Sequence, residues 1–121
     1  MGGDRSLLGR WGEAQVAQWL ARHRYQLIDR NWRCRFGEID LISKTGKYIC
    51  FTEVKLRKNK AFAQAREFVD ARKQERIRAT ASLYLAQYPT DLQPRFDVAE
   101  VYAPEGMQTA EAQICYIENA F

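Results

Sequence analysis

Two short apolar segments that carry carboxylates restrict the fold of this chain more than any other feature. The first covers residues 36–42 (FGEIDLI) and the second covers residues 51–57 (FTEVKLR). Both have strand character, and the side chains of a strand alternate between its two faces with a period of two. Glu53 and Lys55 are therefore predicted to project from the same face of the second strand.

The two segments are predicted to pair as a hairpin. The first segment divides its residues between two faces, with Glu38, Asp40 and Ile42 on one and Ile39 and Leu41 on the other. About six residues, 43–48, separate the segments and include Gly46, which suits a hairpin connection. Antiparallel pairing would bring Asp40 close to Glu53 and Lys55.

This cluster of charges favours a catalytic metal site. Two carboxylates and an ammonium group on a mostly apolar sheet face cost free energy unless they pair or bind a metal. A pair of acids suits a divalent cation, which is often held by one or two carboxylates together with substrate phosphates. Lys55 can then orient or deprotonate a water molecule. The alternative is an ion pair of Lys55 with Asp40 or Glu53 that has no catalytic role, and the combined spacing D-x12-E-x-K argues against it.

Asp40 with the tripeptide Glu53-Val54-Lys55 resembles the signature of the PD-(D/E)xK nuclease superfamily, which includes restriction endonucleases and archaeal Holliday-junction resolvases. The chain is similar above all to the bacterial YraN family of small predicted nucleases. The matching stretches run in order along nearly the whole chain: residues 9–13, 31–33, 37–42, 51–57, 73, 76–77, 95–98 and 117–121. Ile39 replaces the expected proline, as is usual in this family, and Ala63 follows Phe62 where a glycine is usual.

The resemblance implies a restriction-endonuclease-like mixed β-sheet flanked by helices, forming one nuclease-like domain over residues 1–121. It implies a metal-dependent DNA endonuclease that hydrolyses phosphodiester bonds in branched or structured DNA, with Mg²⁺ or Mn²⁺ as cofactor. Asp40 and Glu53 would be the metal ligands, with the Val54 carbonyl as a further one, and Lys55 would act on the attacking water. Since resolvases act as dimers, a homodimer is compatible with this activity.

The first helix is predicted over residues 6–22, with Asp4 or Ser6 as its N-terminal cap. One stripe of this helix comprises Glu13, Val16, Ala17 and Leu20. Residues at this spacing share the face that packs on the sheet. Glu13 is therefore either a third acid of the metal site, as in the resolvase-like nucleases, or a stripe-edge residue that reaches water or Arg10. Glu38 is a weaker ligand candidate.

The remaining periodicity completes an α-β-β-β-α-β-β order. The further predicted elements are a strand from 25 to about 33, a turn at 31–37, a helix at 67–87 and strands at 95–102 and 113–118. Such an order predicts a mixed sheet flanked by helices. Trp32 and Phe36 in the predicted turn are expected to help cap the core. The alternative is that these aromatics, which alternate with Arg33 and Arg35, stack on bases or sugars while the arginines contact phosphates.

The charge of the chain suits a polyanionic partner. The net charge is +4, and setting aside the four proposed site acids leaves 19 basic side chains against 11 of the 15 acidic ones. A basic surface around an acidic centre favours nucleic acid, although ordinary solubility charge is the alternative. The candidate DNA-binding residues are Arg33, Arg35, Arg57, Lys58, Lys60 and Lys73. Lys73 can instead extend to water, and the loop at 57–66 can be merely solvated.

Other classes of site are not supported by the sequence. The three cysteines are odd in number and share no C-x-x-C spacing, which argues against a zinc site or a disulfide framework and favours a reducing cytoplasm. His23 is the single histidine, and no apolar run approaches the roughly 20 residues of a membrane span. The competing function is a non-catalytic DNA-binding or adaptor module with a nuclease-like fold.

Overall fold

A computed structural model describes residues 6–58 and 69–121 and shows a five-stranded sheet with a helix on each face. The elements are α1 (Leu7–Arg22), β1 (Gln26–Cys34), β2 (Gly37–Thr45), β3 (Tyr48–Arg57), α2 (Ala71–Gln87), β4 (Gln93–Tyr102) and β5 (Gln113–Ile117), with a 3₁₀ turn at Gly106–Gln108. This order confirms the predicted mixed sheet with flanking helices. Within the described ranges, neither helix is long and apolar enough to cross a membrane.

The sheet is mixed because one of its connections contains a helix. The strands lie in the order β1-β2-β3-β4-β5, and only β3 and β4 run parallel to each other. Parallel neighbours need a long crossover connection, and α2 lies within the segment that joins this pair. The two antiparallel hairpins, β1-β2 and β2-β3, therefore stand together on one side of the crossover.

Two apolar clusters, one on each face of the sheet, form the core. The cluster under α2 contains Ile39, Ile42, Ile49, Phe51, Val69, Ile77, Ala81, Tyr84 and Val98. The cluster under α1 contains Val16, Leu20, Tyr25, Leu41, Cys50, Ala99 and Val101. The predicted alternation is confirmed in β3, where Ile49 and Phe51 contact one cluster and Cys50 the other, and in β5, where Ile114 and Ile117 divide in the same way.

Both helices begin at a side-chain cap. Ser6 is the N-cap of α1, where its hydroxyl accepts a hydrogen bond from the Gly9 N–H at 3.0 Å. This confirms one of the two predicted caps, and Asp4 lies outside the described residues. Asp70 caps α2 by accepting from the Lys73 N–H at 2.9 Å. The predicted start of the second helix was therefore wrong by about four residues, because an aspartate that satisfies an orphan amide fixes the first turn.

The hairpin connections are shorter than the sequence predicted. Only Gly46 and Lys47 separate β2 from β3, in place of the predicted loop at 43–48, and Gly46 takes the left-handed turn conformation with φ +54°. β1 extends to Cys34, which leaves only Arg35 and Phe36 between β1 and β2 where a turn over 31–37 was predicted. Cross-strand pairing over these residues overrides their weak local strand preference.

The predicted alternation fails at Ile39, which packs with Ile42 under α2 rather than with Leu41 under α1. Asn31 lies across from Asp40 in the β1-β2 register, between the pairs Arg30–Leu41 and Trp32–Ile39, and has φ +53°. A left-handed residue inside a strand pair disturbs the regular pleat, and asparagine tolerates that conformation better than most residues. The regular alternation of the β2 side chains is therefore interrupted at Asp40, and Ile39 lies on the same face of the sheet as Ile42.

A buried ion pair joins β4 to the last strand and the C-terminal segment. Asp97 is fully buried and accepts two hydrogen bonds from the Arg95 guanidinium, at 3.0 and 2.9 Å. It also accepts from the Tyr116 hydroxyl at 2.6 Å and from the Asn119 N–H at 2.9 Å. Burial alone would lower the pKa of Arg95, but its hydrogen bonds to Asp97 and the charge of that residue outweigh burial and raise the pKa. The pair is thus well compensated.

Replacing Asp97 by alanine is expected to destabilise the fold by about 3–5 kcal/mol, because Arg95 would remain buried without its counter-charge. Urea unfolding followed by circular dichroism measures this change. Asp91→Ala, at an exposed position in the loop before β4, is the matched control and should change stability by less than about 0.5 kcal/mol. Equal stability of the two variants would show that the ion pair is not structurally important.

Candidate active site

The candidate site lies where the sheet forks. Residues 41–45 of β2 pair with residues 48–52 of β3, and there the pairing ends. Beyond this point β2 continues beside β1 alone, and β3 continues beside β4 alone. Asp40 and Glu53 are the first residues of each strand after the last pair. The fork therefore places both carboxylates at its base, as the predicted hairpin pairing requires.

Asp40 compensates for the pairing lost at the fork. The Val54 N–H of β3 has no β2 backbone partner there, and the Asp40 carboxylate accepts its hydrogen bond at 2.8 Å. A buried backbone amide without an acceptor would cost roughly 1–3 kcal/mol. The contact therefore fixes the orientation of Asp40 relative to the Glu53-Val54-Lys55 segment.

Two cavities open from the fork, one toward each helix. Asp40, Glu53 and Lys73 line both cavities. The cavity on the α2 side has a volume of about 390 Å³, and its other lining residues are Phe36, Gly37, Glu38, Arg76 and Ile77. The cavity on the α1 side has a volume of about 410 Å³, and its other lining residues are Ser6, Leu8, Gly9, Glu13, Val54 and Leu56. The carboxylates are thus reachable from both faces of the sheet.

All four acids proposed from the sequence lie around this fork. Glu13 of α1 is 5% exposed, so the alternative in which it reaches water at the edge of the helix is wrong. The side-chain amide of Asn31 donates to Glu13 and to Glu38, each at 3.1 Å. Sequence reasoning missed this bridge. Its signal is an asparagine, a residue tolerant of positive φ, within an otherwise strand-like run.

Two lysines share the Glu53 carboxylate. The Lys73 ammonium lies 2.6 Å from Oε2 of Glu53, and the Lys55 ammonium lies 3.6 Å from the same oxygen. Lys73 comes from the first turn of α2, so this helix delivers a positive charge to the strand fork. The proposed catalytic lysine and the proposed phosphate-binding lysine are therefore neighbours.

The environment of the site shifts the pKa values of Asp40, Lys55 and Lys73 by different balances of burial and neighbouring charge. Burial and, next, the charge of Glu53 raise the pKa of Asp40 well above its usual value, although the Val54 N–H opposes this shift and Glu13 adds to it. Burial lowers the pKa of Lys55, and the neighbouring Lys73 charge lowers it further against the opposing effect of Glu53. Burial acts to lower the pKa of Lys73, but the charge and hydrogen bond of Glu53 outweigh it and raise the pKa.

The donor set fits a hard divalent cation. Over residues 6–58 and 69–121, no three acidic, histidine or cysteine side chains converge as a ready-made metal site. Asp40 and Glu53 nevertheless offer carboxylate oxygens at one fork, with Glu13 on the adjoining cavity wall. The raised pKa of Asp40 shows that the residues present leave its negative charge undercompensated. Mg²⁺ and Mn²⁺ match oxygen ligands of this kind, and Mg²⁺ commonly keeps several waters.

The predicted DNA-binding residues differ in how exposed they are and in whether an acidic side chain lies close to them. Arg33 is well exposed, although its guanidinium lies 3.7 Å from Glu38. Arg35 and Lys58 are exposed, at the β1-β2 turn and just after β3. Arg57 is only 19% exposed and lies 4.0 Å from Glu100, so its charge is already offset. Lys60 lies outside the described residues.

The two aromatic residues near the β1-β2 turn have different environments. Trp32 packs edge-on against Tyr84 at 5.2 Å in the core under α2, as predicted. Phe36 is 37% exposed and lines the cavity on the α2 side, so its predicted role as a core cap is wrong. The two-residue turn places Phe36 beyond the core. Arg76 of α2 lines the same cavity; the sequence places it in a stretch that matches the resembled family but assigns it no role.

Comparison with known proteins identifies a family that has no characterised activity. The model of the uncharacterised protein family UPF0102 matches residues 12–101. A UPF0102 protein of Acetivibrio thermocellus is 44% identical over 98% of this chain and 93% of its own length. A UPF0102 protein of Frankia casuarinae is 40% identical over 97% of this chain and 98% of its own length. A UPF0102 protein of Caldanaerobacter subterraneus subsp. tengcongensis is 38% identical over 98% of this chain and 97% of its own length.

Asp40→Asn is expected to stabilise the metal-free protein. A carboxyl group whose pKa is raised by folding contributes stability below its unfolded pKa, and this contribution is lost as the pH rises through the raised value. Asparagine removes the ionisation and can still accept from the Val54 N–H. We expect a gain on the order of 1 kcal/mol at mildly alkaline pH, and a much smaller difference in acid.

Thermal unfolding in the presence of a chelator, repeated across pH, measures this effect. Asp91→Asn at an exposed loop position is the control and should follow the wild-type curve at every pH. An Asp40→Asn protein that is less stable than wild type in mild alkali would contradict the interpretation of an undercompensated carboxylate.

Proposed function

The chain belongs to the uncharacterised protein family UPF0102, and we propose that it is a metal-dependent nuclease that hydrolyses phosphodiester bonds in DNA. The observation that carries this proposal is the placement of Asp40 and Glu53 at the base of the sheet fork, with Lys55 beside Glu53. Two acids that line both cavities, with a lysine beside one of them, are groups that such a hydrolysis needs. The resemblance of the sequence to junction resolvases favours branched or structured DNA, cut internally.

The proposed cofactor is Mg²⁺ or Mn²⁺. Asp40 and Glu53 would hold it, with Glu13 acting directly or through a water molecule and the Val54 carbonyl as a further oxygen donor. When bound, the ion would lower the pKa of a bound water and stabilise negative charge on the phosphate. The buried position of Glu13 between Asn31 and the cavity on the α1 side supports its assignment to this set.

Lys55 is the residue proposed to act on the attacking water. Burial lowers the pKa of its ammonium group, which brings the amine closer to a proton-accepting state than an exposed lysine would be. Lys73 keeps a raised pKa and lines both cavities, so it remains a cation suited to a phosphate group. Together they would supply a base and a counter-charge next to the same oxygen of Glu53.

DNA is the proposed partner, in a reducing cytoplasmic setting where Cys34, Cys50 and Cys115, which form no disulfide in the described structure, would stay reduced. The exposed Arg33, Arg35 and Lys58 would contact backbone phosphates near the site. A homodimer would allow two strands of a branched substrate to be cut by two copies of one site.

Glu53→Gln, Asp40→Asn and Lys55→Ala are each expected to reduce cleavage at least about 100-fold, because the first two each remove a carboxylate that would hold the metal and the third removes the amine that would act on the water. The measurement is cleavage of a labelled panel consisting of duplex, single strand, flap and four-way junction, with Mg²⁺ or Mn²⁺. DNA binding in the presence of a chelator should persist in all three variants.

Glu111→Gln is the matched control, since it alters an exposed carboxylate in the segment before β5. It should cut as the wild type does. Full cleavage by Asp40→Asn would remove the nuclease proposal. Metal-independent, salt-sensitive DNA binding with no cleavage of any panel member would instead support the non-catalytic binding module.

A further inference from the structure

Phe36 stands out among the aromatic side chains of the described residues. Of this group only Phe36, at 37%, and Tyr88, at 52%, are exposed, and Phe36 is the one that lines a cavity of the strand fork. A single exposed phenylalanine is ordinary on a protein surface, but one that lines a cavity beside two carboxylates is available to a ligand bound there. The Arg35 guanidinium lies over its ring, 4.8 Å from the centroid.

The turn that carries Phe36 is held against α2. The Phe36 N–H contacts the Cys34 thiol at 3.4 Å, and that thiol in turn contacts the buried Thr80 hydroxyl of α2 at 3.7 Å. The next residue, Gly37, has φ +152°, and a β-carbon there would lie 3.5 Å from the Thr80 hydroxyl. These contacts hold the backbone of the turn close to α2, and a preformed backbone lowers the cost of binding.

Helix α2 contributes two basic side chains to the same cavity, and one of them, Lys73, is paired with Glu53. The other, Arg76, is exposed and forms no ion pair in the part of the chain that the structure describes. The cavity volume of about 390 Å³ is near the lower end for small-molecule sites, which suits one base with its sugar rather than a base pair. An aromatic face, a guanidinium without an ion pair among the described residues and a small volume together match a single nucleotide.

We propose that Phe36 stacks on one unpaired base of the DNA, with Arg76 on the adjoining phosphate, next to the bond that is cut at Asp40 and Glu53. Bases within a duplex are stacked on each other, so only an unpaired or extruded base offers a face to this ring. The preferred substrate is therefore DNA with an unpaired nucleotide at the cutting site. This inference rests on the proposed action on DNA and adds a specificity-determining residue to it.

The test is a binding experiment that needs no cleavage. A duplex with a single bulged 2-aminopurine and a matched fully paired duplex are titrated with the full chain in a chelator, and the dissociation constants and 2-aminopurine fluorescence are recorded. The wild type should bind the bulged DNA more tightly and quench its fluorescence. Phe36→Ala should lose at least about fivefold in affinity for the bulged DNA while keeping its affinity for the duplex.

Two further variants distinguish stacking from damage to the fold. Phe36→Trp should retain the preference and the quenching, because an indole also stacks on bases. Tyr88→Ala removes the other exposed aromatic, at the far end of α2, and should behave as the wild type does. An equal loss for both DNA molecules in Phe36→Ala, or no preference in the wild type, would overturn the inference.

The outcomes also separate this inference from the proposed nuclease activity. A preference that depends on Phe36 in a protein that cuts nothing would support base stacking and reject catalysis. Metal-dependent cleavage that Glu53→Gln abolishes, with no role for Phe36 in DNA preference, would support the nuclease and reject the stacking site.

Discussion

The separation of β2 from β3 after the Leu41–Thr52 pair is the constraint on which the site depends. A continuous sheet would satisfy the Val54 N–H with a backbone carbonyl and would leave no opening between the strands. The fork leaves this amide to the Asp40 carboxylate and opens a cavity toward each helix. One loss of pairing therefore orients an acid and gives a ligand access to it.

Two polar clusters in this fold differ in how well their charges are balanced. Asp97 is buried with a guanidinium, a hydroxyl and an amide directed at it, and its partner Arg95 is held firmly in the charged state. Asp40 lies among acids with one backbone amide directed at it, and burial, followed by the charge of Glu53, raises its pKa. The first arrangement stabilises the sheet and the C-terminal segment. The second stores unfavourable charge, which is the usual cost of a preorganised site.

The sequence predicted that Asp40 lies close to Glu53, because strand alternation and a short connection are enough to pair two neighbouring segments. It also predicted the buried stripe of α1, including Glu13, since helical periodicity depends only on local spacing. The sequence did not predict which face of the sheet Ile39 occupies, because that depends on the left-handed conformation of Asn31 in the neighbouring strand. Whether residue 36 caps the core or lines a cavity likewise depends on where a two-residue turn lies relative to α2.

The N-cap of α2 at Asp70 also bears on how the Glu53 carboxylate contacts two lysines. The cap places Lys73 in the first turn, where a positive charge is opposed by the helix dipole. The ion pair with Glu53 at 2.6 Å offsets this penalty and keeps Lys73 charged. Because Lys73 takes the closer contact, Lys55 at 3.6 Å receives less compensation for its own burial, and its pKa falls. Burial is the main cause of the lower pKa of Lys55, and the charge of Lys73 adds to it. The position of Lys73 in the first turn of α2 therefore contributes to the electrostatics of the proposed catalytic lysine.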